Sequence, residues 1–141
     1  MTRVYWDSML FIYLLEENPA FCEKVRKILN QIVSREHILS TSVFSIGEIL
    51  TGPRKQGSIS GVDAVKRYFL SGAVDILPFT EATADRYSII RGANRVSQAD
   101  GIHLASAAES GTDVFFTNDD DLRKLSIPGI KLFADLDGRL I

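Results

Sequence analysis

Two apolar rhythms alternate along this chain. Short blocks rich in β-forming residues stand at 3–6, 37–40, 74–79, 114–116 and 130–133, and each reads as a strand. Between them lie longer stretches whose apolar residues return every three or four positions. The clearest is 20–35, where Phe21, Val25, Ile28, Leu29, Ile32 and Val33 fall on one stripe of an amphipathic helix. A helix over 9–17 is stopped by Asn18-Pro19. Thr41-Ser42 can cap a helix that runs to Leu50, with Gly52-Pro53 expected to end it. After a polar connection over 54–60, a helix spans 61–70 and Ser71-Gly72 closes it; another starts at Thr80 with Glu81 in its first turn. Residues 98–110 form a further helix stopped by Gly111, and 119–125 a short one.

Strands separated by helices throughout predict an α/β fold, because a parallel crossover needs a connection of this length. The expected architecture has three layers, α/β/α, around a central parallel sheet. No internal repeat and no low-complexity linker divides the chain, so residues 1–141 are expected to form one domain.

Composition narrows the function classes. The 141 residues are 45% hydrophobic and 24% charged, ordinary for a domain with a real core. Apolar runs such as VFSIGEIL and IHLASAA stay well short of the roughly 18 to 20 residues that span a bilayer. Met1-Thr2-Arg3-Val4 leads directly into the first strand rather than into a signal peptide, and a cytoplasmic location with no membrane partner is expected. Cys22 is the single cysteine and there are two histidines, which disfavours a structural zinc site. Sixteen basic and 18 acidic residues leave a formal charge of −2, against a surface that grips nucleic acid all round. A local basic patch is still compatible with that balance.

The acidic residues fall where chemistry is expected. In open parallel α/β sheets, ligands bind beyond the carboxyl ends of the strands. Asp7 directly follows the first strand, and the run Asp119-Asp120-Asp121 follows the strand at 114–116. Asp100 lies in the first turn of the helix at 98–110, and Glu48 in the helix after the second strand. Each has a plain structural reading: Asp7 or Asp119 can cap a helix, Asp100 can complement a helix dipole, and Glu48 can be a solvated side chain. Four of them meeting at one sheet edge is harder to explain that way. Two unit charges about 5 Å apart at an effective dielectric of about 20 repel by about 3 kcal/mol, so such a cluster must take up protons or a cation. Oxygen ligands alone favour Mg²⁺ or Mn²⁺, and a metal-activated water would then hydrolyse a phosphodiester.

The blocks VYWDSMLFIYLLE, SIGE, QADGIHLASA and FFTNDDDL, in this order over nearly the whole chain, resemble the signature blocks of PIN-domain nucleases, and the length is similar to that of VapC-type toxins. The resemblance implies a PIN-like fold, a metal-dependent endoribonuclease activity, Mg²⁺ or Mn²⁺ as cofactor, a homodimer, and an antitoxin that inhibits by binding across the site. Residue by residue, it assigns Asp7, Glu48, Asp100 and Asp119 as catalytic and metal-binding acids. Asp121 could take or share the fourth place, and Asp120 is expected to face solvent. Ser8 and Thr117 would orient carboxylates or waters, or else serve as caps. His103 departs from the apolar residue usual at its place in the third block; one turn beyond Asp100, it is expected to be a core or interface histidine satisfied by a neighbour rather than a catalytic group.

An RNA substrate needs cations at the rim. Arg86, Arg91 and Arg95 lead up to Asp100, and Arg54-Lys55 follow the Glu48 helix; Arg91, Arg95 and Arg54 are the candidates for phosphate contacts. A catalytic set of this kind needs no 2′-hydroxyl, so the preference for RNA rests on the resemblance. The antitoxin is expected to reach the acidic crevice with an arginine and to pack apolar side chains between the helices at 42–50 and 61–70, where Phe44, Tyr68 and Phe69 look exposed. Competing α/β readings fit less well. A receiver domain wants a pair of acids at the first strand end and an acceptor after the third, where Leu77-Pro78-Phe79 has none. A haloacid-dehalogenase-like phosphatase wants an acid at the position of Met9, and no Gly-rich phosphate loop is present. The alternative that remains is a catalytically idle PIN-like module that binds RNA or protein.

Overall fold

The computed structural model describes residues 2–138, so Met1 lies outside the described part. Five strands, β1 (Arg3–Trp6), β2 (Ile38–Ser42), β3 (Asp75–Leu77), β4 (Thr112–Phe116) and β5 (Ile130–Ala134), form one sheet in the order β3-β2-β1-β4-β5. Every neighbouring pair is parallel. The helices are α1 (Ser8–Leu15), α2 (Cys22–Ser34), α3 (Val43–Lys55), α4 (Ile59–Leu70), α5 (Glu81–Ala93), α6 (Gln98–Ser110) and the short α7 (Asp120–Arg123).

Period-two alternation on the central strands separates two apolar layers. Val4 and Trp6 of β1, with Val114 and Phe116 of β4, join Leu10, Phe11, Val25, Ile28, Ile49 and Phe69 from α1 to α4. Tyr5 and Phe115 point to the opposite face, where Ile90, Leu104, Ala105 and Leu122 of α5, α6 and α7 cover them. Helices on both faces make three layers, α/β/α. Both faces of β1 and β4 are therefore dry over their last three residues, which is why Val4-Tyr5-Trp6 and Val114-Phe115-Phe116 read as unbroken apolar runs.

Three details depart from the expectations. The helix α3 does not stop before Gly52-Pro53 but carries Pro53 inside it and ends at Lys55. Pro53 removes only its own N–H from the ladder, and the N–H groups of Gln56 and Ser58 still close onto the carbonyls of Gly52 and Pro53 at 3.1 and 2.9 Å. The helix α4 begins two residues earlier than 61, because the Ser58 hydroxyl accepts the Gly61 N–H and caps it. Phe69 is buried in the first core layer and not exposed, while Tyr68 is half-buried with its ring edge-on to Phe11 and Phe69. An amphipathic helix packed on two neighbours covers more of its circumference than one stripe.

The strand order reverses at β1, since the chain moves outward through β2 and β3 and then returns to place β4 on the other side. Such a reversal leaves a crevice at the carboxyl ends of β1 and β4.

Candidate active site

Asp7 ends β1 and caps α1: its Oδ1 accepts the Met9 N–H at 3.1 Å. Its Oδ2 accepts a hydrogen bond from the Thr117 hydroxyl at 3.0 Å, across the junction of β1 and β4. The same Thr117 oxygen accepts the Asp119 N–H at 3.2 Å. Asp119 in turn caps α7, its Oδ1 accepting the N–H groups of Asp121 and Leu122 at 2.8 and 3.4 Å. Capping and site formation are thus one arrangement at Asp7 and Asp119. Asp100 enters in the first turn of α6; its N–H is taken by the Ser97 hydroxyl at 3.1 Å. Its carboxylate makes no hydrogen bond or ion pair among the described residues.

Asp7, Asp100, Thr117 and Asp119 line one open cavity of about 430 Å³, with Met9, Tyr13, Asn118 and Asp120 completing its wall. Burial pushes the Asp7 carboxyl up from 3.8 to about 6; the charge of His103, the Thr117 hydroxyl and the N–H groups of Leu10 and Met9 oppose the rise without cancelling it.

Glu48 is not part of that wall. Its Oε1 lies 2.6 Å from Nε2 of His103, and Ser8 also hydrogen-bonds it. Burial alone would raise the Glu48 carboxyl, but the bond to His103, the charge there and the Ser8 bond together hold it below the ordinary range. His103 is buried, and its Nδ1 lies 2.7 Å from the Tyr5 hydroxyl. It is satisfied by neighbours on two sides.

The acidic run divides by position. Asp120 borders the cavity and pairs with Arg123, which also donates to the Thr117 carbonyl. Asp121, considered above for the fourth acid, lies outside the cavity wall with its side chain 93% exposed and Lys124 at 4.0 Å. Both side chains are largely exposed, and only Asp120 reaches the cavity rim.

The arginines also divide. Arg91 lies along Tyr87, donating to its hydroxyl at 3.1 Å, and its stem packs against Gly101, the neighbour of Asp100. Arg95 is exposed between α5 and α6. Arg54 borders a separate groove of about 270 Å³ between α3 and α4, with Pro53, Ile59 and Val62. Arg86 is occupied by Glu109 and the Pro128 carbonyl at 2.8 and 3.3 Å.

Among the described residues no group of three or more His, Cys, Asp or Glu side chains forms a ready-made metal cage. The cavity nevertheless suits a hard divalent cation. Its donors are all oxygen, the raised Asp7 carboxyl has no cation against it in the wall, and Asp100 has a carboxylate to spare. Mg²⁺ keeps several waters and needs only one or two protein carboxylates, so a loose acidic wall fits it better than it would fit zinc.

Met9, Tyr13 and Asn118 were not foreseen as wall residues. The signal was available for two of them: Met9 and Tyr13 stand four apart on α1 and so share a face just beyond Asp7. Among the described residues no helix is long and apolar enough to cross a membrane.

Comparisons with known proteins agree with the fold. No curated protein sequence gives a significant match. The chain is similar to the structure of VapBC2 from Rickettsia felis bound to a promoter DNA fragment, with a TM-score of 0.75 at 14% identity over 95% of this chain and 98% of that one. It is similar to VapC20 of Mycobacterium tuberculosis, described as a Sarcin-Ricin loop cleaving toxin, with a TM-score of 0.69 at 15% identity over 89% and 97% of the two chains. VapBC-1 from nontypeable Haemophilus influenzae gives a TM-score of 0.67 at 17% identity over 97% and 100%. A family model for the PIN domain matches residues 4–128, a span that holds both ends of the Asp7–Thr117 bond and all four assigned acids, and by that match the chain belongs to the PIN-domain family.

Proposed function

We propose that this protein is a divalent-metal-dependent endoribonuclease and the toxin of a toxin–antitoxin pair. The observation that carries the conclusion is the shared wall of Asp7, Asp100 and Asp119 at the crevice where the strand order reverses. These three would hold Mg²⁺ or Mn²⁺, with Glu48 in support beside Ser8. A cation bound there supplies positive charge for the phosphoryl oxygens and makes water more acidic. The chain's own residues do the rest. Thr117 orients Asp7 and the start of the Asp119 turn. Arg91 and Arg95 stand where a polyanion would approach Asp100.

The similar VapC20 is described as cleaving the Sarcin-Ricin loop, and several similar structures are toxin–antitoxin complexes, which supports a structured RNA substrate and an antitoxin partner for this chain. The antitoxin would use the groove beside Arg54, where Ile59 is 80% exposed. A homodimer and a cytoplasmic location belong to the same proposal, as does a single domain over the whole chain.

The test is cleavage of structured RNA by purified protein with Mg²⁺ or Mn²⁺, with a chelator arm, a DNA arm of the same sequence, and Asp7→Asn and Asp100→Asn beside the wild type. Cation-dependent cleavage of RNA that both substitutions abolish is expected. RNA binding with no cleavage under any cation would leave the idle module instead.

A further inference from the structure

Three side chains from three elements form a chain of contacts of which the proposed chemistry uses only the last, Glu48. Tyr5 of β1 is fully buried, with its ring stacked on Phe115 at 4.9 Å. Its hydroxyl accepts the Ser42 N–H at 3.1 Å and lies 2.7 Å from Nδ1 of His103. The opposite ring nitrogen, Nε2, lies 2.6 Å from Glu48 Oε1. The imidazole is also held edge-on between Tyr5 and Phe44, at ring distances of 5.9 and 5.8 Å.

Donors and acceptors can be placed along this chain. A carboxylate only accepts, so the proton between His103 and Glu48 belongs to Nε2. On the other side of the ring the Tyr5 hydroxyl lies against Nδ1 while accepting from Ser42, and burial keeps that hydroxyl protonated. Each polar atom in the row has a partner, and the ring is held between two aromatic faces. Such an arrangement has one orientation available, and it ends on the one assigned acid that does not line the cavity. Glu48 is meanwhile tied to Ser8, the residue next to Asp7.

We propose that His103 is a positioning residue, which with Tyr5 behind it fixes the Glu48 carboxylate against the Asp7–Ser8 corner and so sets the affinity of the acidic cavity for a divalent cation. This rests on the function proposed above. Outer hydrogen-bond partners of this kind orient the groups around a metal, and their loss typically costs about 10- to 100-fold in metal affinity. His103 touches neither the cavity nor the reacting atoms, so its effect must pass through Glu48. Removing Glu48 should therefore remove the effect of removing His103, which no merely structural role predicts.

Mn²⁺ affinity, measured by electron paramagnetic resonance or calorimetric titration without RNA, reads this directly. The Kd of His103→Leu should rise about 10- to 100-fold over the wild type, and that of Glu48→Ala by a similar factor. The double variant should bind no more weakly than Glu48→Ala alone, and His103→Gln, which keeps a donor towards Glu48, should recover part of the loss. Circular-dichroism melts establish that each variant is folded at the titration temperature. If His103→Leu does not fold, Tyr5→Phe keeps the ring on Phe115 and takes its place in the same cycle. Unchanged Mn²⁺ affinity, or losses that add in the double variant, would overturn the positioning role while leaving the cation site standing. A wild type that takes up no Mn²⁺, indistinguishable from Asp7→Asn, would remove the proposed function and this inference with it.

Discussion

The hydroxyl of Thr117 donates to Asp7 at 3.0 Å and accepts from the Asp119 backbone at 3.2 Å, joining two acids 112 positions apart in sequence. A buried hydroxyl with both bonds made ties the carboxyl ends of β1 and β4 into one rigid corner. Thr117→Val keeps the shape and deletes both bonds, leaving the Asp119 N–H without its partner. A loss of about 1–3 kcal/mol in stability is expected, together with a fall of about 10- to 100-fold in RNA cleavage. Thr117→Ser should restore most of both, as read by urea melts and initial rates.

The Asp7 carboxyl makes stability depend on pH. With its folded value at about 6 against 3.8 in the ordinary state, it binds a proton more tightly in the folded chain between those limits. Stability from this group therefore falls as pH rises through about 4 to 6, by an upper figure of about 3 kcal/mol. Asp7→Asn can still cap α1 and removes the charge. It should be more stable than the wild type at about pH 7.5 by roughly 1–3 kcal/mol and lose that advantage towards pH 4, while losing cleavage. Chemical denaturation at the two pH values measures it, and a variant less stable at the higher pH would contradict the placement.

Two glycines with positive φ separate conformation from space. Gly111 has φ 74° with nothing near a would-be Cβ, whereas at Gly129, with φ 99°, that atom would meet the Ala108 carbonyl oxygen at 2.5 Å. Gly111→Ala should cost about 1–2 kcal/mol for the left-handed backbone alone. Gly129→Ala should cost at least about 3 kcal/mol, because β5 must also move away from α6. Thermal melts of the pair give the difference.

Arg91 and Arg54 should behave oppositely. Arg91 packs on Gly101 beside Asp100, and Arg54 stands at the α3–α4 groove. Arg91→Ala should raise KM for RNA with little change in kcat, and flatten the logarithmic salt dependence of binding by about one unit. Arg54→Ala should leave KM unchanged and weaken the complex with the antitoxin. Steady-state rates at several salt concentrations and a pull-down distinguish the two.

By itself the sequence determined the elements and their order. Strand and helix periods depend on neighbours within a few residues, so β1, the amphipathic α2 and the capped α6 could be read directly, and the alternation dictated a parallel sheet. Asp7, Asp100 and Asp119 stood out because they follow strand ends or open a helix. The tertiary structure decided what depends on contacts between remote segments. It selected the strand order that brings β1 against β4 and joins Asp7 to Thr117, and it left Asp120, exposed as expected, at the cavity rim and Asp121 outside it. It also buried Phe69 and turned Glu48 towards His103 and Tyr5. Which face of a helix meets which neighbour is fixed by packing between layers, and a periodic pattern carries only the fact that a face is apolar.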